Sequence, residues 1–142
     1  MFNLEDCVCF ISNKCNKEII EAFNNSLLPY NITRPQWIAI YYIQKNESIT
    51  QKQLSNLIDS KESTIVRLID RMEKENLVER KKDPNDRRIT MLCLTSKGKS
   101  TYNEILPISI NFSKNIIKDI DENDLIIFKN VFNKILKNSK TL

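Results

Sequence analysis

The sequence predicts a mainly α-helical chain with one small β-hairpin. Apolar residues recur at three- and four-residue steps over most of the 142 positions, the spacing of half-buried helices. Three N-terminal capping patterns follow one another between residues 33 and 62. One stretch, 77–95, breaks the helical period with Val, Ile, Leu and Thr on either side of an Asp83-Pro84-Asn85 turn.

Residues 4–26 read as a first helix, because Val8, Ile11, Cys15, Ile19, Ala22 and Phe23 form one apolar stripe. Leu27-Leu28-Pro29-Tyr30-Asn31 interrupts it. Thr33 and Thr50 each stand three residues before a Gln, the reciprocal capping box, and Asp59 stands three before Glu62 as its acidic variant. They predict helices over 34–45, 51–58 and 60–75, packed through Trp37, Ile40, Leu54, Leu57 and Ile65. Two short helices and a longer one, joined by short gaps, describe a helix-turn-helix with its supporting helix.

In the 60–75 helix, Ile65, Leu68, Ile69 and Met72 make the inward face. Thr64, Arg67, Arg71 and Lys74 run along the other side, with Lys61 and Ser63 near the N-terminus. Asn76 is placed to end the helix in a left-handed conformation. Leu77–Lys82 and Ile89–Thr95 then pair as strands, and Thr95 caps the next helix, whose first turn holds Gly98 for close packing. That helix covers 96–118 with a kink expected at Pro107. Asp121-Glu122-Asn123-Asp124 opens the last helix, striped by Leu125, Phe128, Phe132 and Ile135. This stripe exceeds what one small core needs. Together with the first helix it predicts a helical dimer interface, with packing inside one chain as the competing reading.

Charge is informative by position. The net formal charge is +4, yet residues 80–88 alone hold five Lys or Arg against two acids, while residues 1–49 hold four against five. Positive charge gathered at a hairpin tip fits attraction to a phosphate backbone better than an even basic surface does. A helix sized for a major groove beside a basic ribbon points to DNA. With no histidine and one glycine, the chain has no P-loop, dinucleotide fingerprint, His-based metal site or Ser-His-Asp triad, so an enzyme is not expected. Cys7, Cys9, Cys15 and Cys93 lack a zinc spacing, and on a helix the first three point in diverging directions at about 100° per residue. They read as thiols of a reducing compartment. No apolar run approaches the ~20 residues of a membrane span, and Met1–Asp6 is acidic, so a cytoplasmic location without cofactors is the expectation.

The block from Thr64 through Arg67, Arg71, Leu77 and Arg80, then Asp83-Pro84-Asn85-Asp86-Arg87-Arg88, then Leu94-Thr95-Ser96-Lys97-Gly98, resembles the signature of MarR-type winged-helix regulators. One departure is Asn76, where the family usually has glycine. The resemblance implies a homodimer in which the first and last two helices interlock, so that 1–32 and 96–142 form a dimerisation lobe and 33–95 a winged helix-turn-helix. It implies a transcriptional regulator, a repressor, on a pseudo-palindromic double-stranded operator. The 60–75 helix would enter the major groove with Ser63, Thr64 and Arg67 nearest base edges or phosphates, and Arg71 is a further candidate for DNA contact. Arg88 would enter the minor groove, held by Asp86. Arginine's planar fork suits both tasks. Lys52, Lys81, Lys82 and Arg87 would contact phosphates, which position without reading sequence, and Lys61 is a further candidate for DNA contact.

The resemblance also implies release by a small molecule or an oxidant. Phe10, Trp37, Tyr41 and Tyr42 are candidates to line a site for an aromatic or phenolic effector between the two lobes, with Arg34 pairing an anion; plain core packing of these rings is the alternative. Val8-Cys9-Phe10 is similar to the place where peroxide-sensing members carry their reactive cysteine. Phe23 and Arg34 stand where those members supply tyrosines, and a partner's arginine there would favour the thiolate electrostatically. A rival class, a winged helix used only for protein assembly, needs no basic wing tip.

Overall fold

Two capping boxes fix where the central helices begin. In the computed structural model, which describes residues 1–142, Thr33 Oγ1 accepts from the Gln36 backbone N–H while Gln36 Oε1 accepts from Thr33 N at 2.9 Å. Thr50 and Gln53 repeat the arrangement at 3.1 and 3.0 Å. Each box satisfies orphan donors that a helix start would otherwise expose. The helices that follow are α2 (Arg34–Lys45) and α3 (Gln51–Ile58), with the predicted limits.

The other elements are α1 (Val8–Leu27), α4 (Glu62–Lys74), β1 (Val78–Lys82), β2 (Thr90–Leu94), α5 (Ser96–Ile116) and α6 (Glu122–Ser139). The expected first helix is divided. A 3-10 turn at Leu4–Asp6, capped by Asn3, precedes an extended Cys7 (φ −70°, ψ 119°) from which α1 starts. A second 3-10 turn, Leu28–Tyr30, and left-handed Asn31 end α1 as the Pro29 region predicts. Asp59 does not cap α4. It is the left-handed residue (φ 54°) that closes α3, a backbone state incompatible with an N-cap, and Lys61 starts α4 two residues later without a side-chain cap. Asn76 is left-handed, as expected (φ 59°). Helix α5 continues through Pro107 without a break and ends at Ile116.

Two compact units partition the chain, Met1–Ser109 and Ile110–Leu142. In the first, a single core gathers Leu27, Trp37, Ile40, Ile43, Leu54, Ile65, Ile69, Met72, Leu77, Leu92 and Ile105, all buried. Leu57, expected in this core, lies 47% exposed. It falls near the end of the short α3, on the side that neighbouring elements leave uncovered. β1 and β2 pair antiparallel with Val78 opposite Leu94 and Arg80 opposite Leu92. Ile49, just before α3, adds one bridge to Leu92 through bonds of 3.2 and 2.7 Å, anchoring the hairpin to the helix-turn-helix. Thr95 Oγ1 accepts from Gly98 N at 3.0 Å and starts α5, and a Cβ on Gly98 would collide with the Leu77 carbonyl. Space, not an unusual backbone angle, requires glycine there.

The second unit contains the end of α5 and all of α6. Asp121 Oδ1 accepts from Asn123 N at 2.8 Å to cap α6, and the rings of Phe128 and Phe132 pack at 4.7 Å, one turn apart. No residue of α6 is buried within this chain.

Candidate nucleic-acid interface

Helix α4 divides cleanly. Ile65, Ile69 and Met72 are buried, Leu68 is half-buried, and Ser63, Thr64, Arg67, Arg71 and Lys74 are exposed. Four apolar residues at positions 65, 68, 69 and 72 secure one side, leaving the other free of structural duty. Arg67 and Arg71 make no ion pair within the chain, and neither do Lys52 on α3, Lys61 at the start of α4, or Arg87. These exposed cations have no carboxylate to answer them.

The wing owes its tip to two aspartates. Asp83 Oδ1 accepts from Asn85 N at 2.7 Å and Asp86 N at 3.3 Å, folding the chain back after Pro84. Asp83 N donates to Ile89 O at 2.9 Å and closes the loop. Asp86 Oδ1 then accepts from the Arg88 backbone N–H at 3.0 Å and from Arg88 Nε at 3.3 Å. The Arg88 side chain is 93% exposed, so Asp86 braces its root while the guanidinium fork projects into solvent. This is the Asp86–Arg88 pair that the sequence pattern implied.

Strand alternation sorts the remaining basic residues. Lys81 faces away with Glu79 and binds its Oε1 at 2.7 Å. That hydrogen bond, with the carboxylate's charge, raises the Lys81 ammonium above its ordinary pKa. Its charge is therefore partly answered inside the chain, unlike that of Arg87. Lys82 donates to Thr90 Oγ1 at 3.0 Å across the hairpin. Arg80, on the face of buried Val78, points instead at α3 and α4, a placement that reading the sequence missed. Its partners lie 7, 10 and 29 residues away, so no local pattern betrays them.

The effector candidates separate into two groups. Trp37 stacks on Tyr102 (centroids 5.8 Å apart) and meets Tyr41 at 6.1 Å, with Tyr42 edge-on to Tyr41 at 5.5 Å. Arg34 is half-buried in the first turn of the same α2. Phe10 is elsewhere: it borders a surface cleft with Asn3, Leu4, Ile11, Lys14 and Cys15. Tyr102 belongs to the aromatic cluster and was not anticipated. Cys9 is exposed and free in the first turn of α1.

Residues 32–90, which hold α2 through the wing, match the MarR family. Over that stretch the chain is similar to the MarR family. It is 28% identical over 132 residues to the HTH-type transcriptional regulator SarZ of Staphylococcus aureus, covering 92% of this chain and 88% of that one. Its fold is similar to that of a cysteine-to-serine mutant of Escherichia coli MarR complexed with operator DNA, with a TM-score of 0.80, 21% identity and coverage of 89% and 91%. It is also similar to Bordetella bronchiseptica BpsR, whose DNA binding is regulated by 6-hydroxynicotinic acid, with a TM-score of 0.85, 14% identity and coverage of 95% and 96%. Its fold is that of these winged-helix proteins. No helix is long and apolar enough to cross a membrane.

Proposed function

We propose that two copies of this chain bind a pseudo-palindromic operator in double-stranded DNA and repress transcription from it. In each copy α4 lies in the major groove, where Ser63, Thr64 and Arg67 reach base edges and Arg71 flanks them. Arg88, braced by Asp86, enters the adjacent minor groove. Lys52, Lys61, Lys82 and Arg87 contact phosphates, and Lys81 does so more weakly because Glu79 already engages it. The observation that carries this reading is the unanswered cationic side of α4 in the same unit as a wing whose Arg88 is held at its base and free at its end.

Dimerisation follows from what each unit leaves uncovered. Val8, Ile11 and Ile19 of α1 are 51%, 45% and 44% exposed, and α6 exposes Ile127, Phe128 and Leu136 to a similar degree. Apolar surface of that extent, on helices that bury little of themselves within the chain, is suited to burial against a second copy. Release is assigned to a small aromatic acid at the Trp37–Tyr41–Tyr102 cluster, with Arg34 pairing its carboxylate. The regulation of BpsR by 6-hydroxynicotinic acid supports this chemical class. An oxidant acting at exposed Cys9 is the other route, and mass spectrometry after limiting hydroperoxide separates the two: Cys9 left unmodified while DNA binding persists rules out the thiol.

Selection from random double-stranded DNA tests the central proposal. It should enrich an inverted repeat with half-site centres about one helical turn apart, ~34 Å. A pool that never departs from random would refute sequence-specific binding.

A further inference from the structure

We propose that Arg80 is a positioning residue that sets the geometry between the two DNA-reading probes, and so governs discrimination between operator and unrelated DNA. The inference rests on the proposed DNA reading and adds a residue to it that touches no DNA. Arg80 stands at the middle of β1, opposite Leu92. Its Nη1 donates to Glu73 Oε2 at 2.6 Å, and its Nη2 to Asp70 Oδ1 at 2.7 Å; both carboxylates belong to α4. Nε and Nη2 also donate to Gln51 Oε1, the first residue of α3, at 3.1 and 2.8 Å. One guanidinium therefore joins the wing to both helices of the helix-turn-helix.

Its environment gives those bonds weight. The Arg80 side chain is 24% exposed while Asp70 and Glu73 are 52% and 43% exposed, so what distinguishes the arrangement from a surface pair is one planar fork holding three acceptors at once. Arg88 sits at the tip of the hairpin to which β1 belongs, and Arg67 sits on α4 three residues before Asp70. At about 100° per residue, Asp70 lies only ~60° around α4 from Arg67, at the margin of the reading face. Left alone, Asp70 and Glu73 would push phosphates away from that margin. Arg80 pairs with both, offsets one of their two charges, and fixes the strand to the helix in the same act. A lysine keeps the charge but cannot offer three donors in a planar fork.

The test compares wild type, Arg80→Lys and Asp70→Asn/Glu73→Gln on the selected operator and on a scrambled duplex, by fluorescence anisotropy at one salt concentration. Arg80→Lys should bind the operator tenfold or more weakly, with binding to scrambled DNA changed less than twofold. The double variant removes two negative charges, so it should bind scrambled DNA more tightly while its operator-to-scrambled ratio also falls. Adding Arg88→Ala to Arg80→Lys should cost less than it costs wild type, since a wing no longer held in place has less to lose. A residue that served folding alone would lower the thermal midpoint and leave that coupling unchanged. An unaltered ratio in the double variant, or an Arg88→Ala penalty identical in both backgrounds, overturns the role of Arg80. If Arg80→Lys does not fold, the ratio of the double variant decides. A wild type without discrimination refutes DNA reading itself, which keeps the two failures distinct.

Discussion

Replacing Gly98 with alanine tests the junction on which the wing is mounted. A Cβ there meets the backbone oxygen of Leu77, not the movable end of a side chain, and lies close to Leu94 Cβ as well. The Leu77 carbonyl already accepts from Thr95 N at 3.1 Å, so moving it weakens that bond too. Overpacking costs about 1–3 kcal/mol, and a strained hydrogen bond about 1 kcal/mol more. Alanine's better helix propensity returns up to about 1 kcal/mol. The net loss is about 2 kcal/mol, a fall of roughly 5–10 °C in thermal midpoint for a chain of this size. Circular dichroism melts at a fixed protomer concentration measure it, since association also shifts the midpoint. A midpoint equal to or above that of wild type would mean that the Gly98–Leu77 contact does not constrain the junction.

Other substitutions separate reading from positioning and from folding. Arg67→Ala should lose about 1–3 kcal/mol on the operator and relax discrimination at the contacted base pair, measured by titrating single-base variants. Lys52→Ala should weaken all duplexes alike and reduce the slope of log affinity against log salt by about one; wild type should show a steep slope, and a flat one would contradict phosphate-driven binding. Thr50→Ala removes one half of a capping box and should destabilise the fold by about 1 kcal/mol in denaturant titration, with no change in the preferred DNA sequence.

The parts of this architecture that were legible in the sequence are those fixed by near neighbours. The boxes at Thr33 and Thr50 act over three residues, and both open helices at the predicted positions. The wing tip is equally local: Asp83 and Asp86 bond backbone groups two and three residues on. Asp59 shows the limit of such patterns. The same Asp-x-x-Glu spacing exists there, but reversing the chain after α3 claims Asp59 for a left-handed state, and the cap is lost. Leu57 failed for a related reason, because apolar character cannot say whether a neighbour arrives to cover it. Arg80 was hidden by distance in sequence, as was the bond of buried Gln36 to Glu75 Oε2 at 2.7 Å, which joins α2 to the end of α4 across 39 residues. Trp37 and Tyr41 were identifiable as a pair one turn apart, whereas Tyr102 joins them only through the packing of α5.

The assignment of one groove to α4 and the other to the wing is tested most directly by chemical interference on the selected operator. Methylation at guanine N7 should block binding by wild type within each half-site, and Arg67→Ala should lose part of that sensitivity. A minor-groove ligand such as distamycin should compete with wild type at the flanks and should compete far less with Arg88→Ala. Identical interference patterns for wild type and both variants would contradict the assignment of these two arginines to the two grooves.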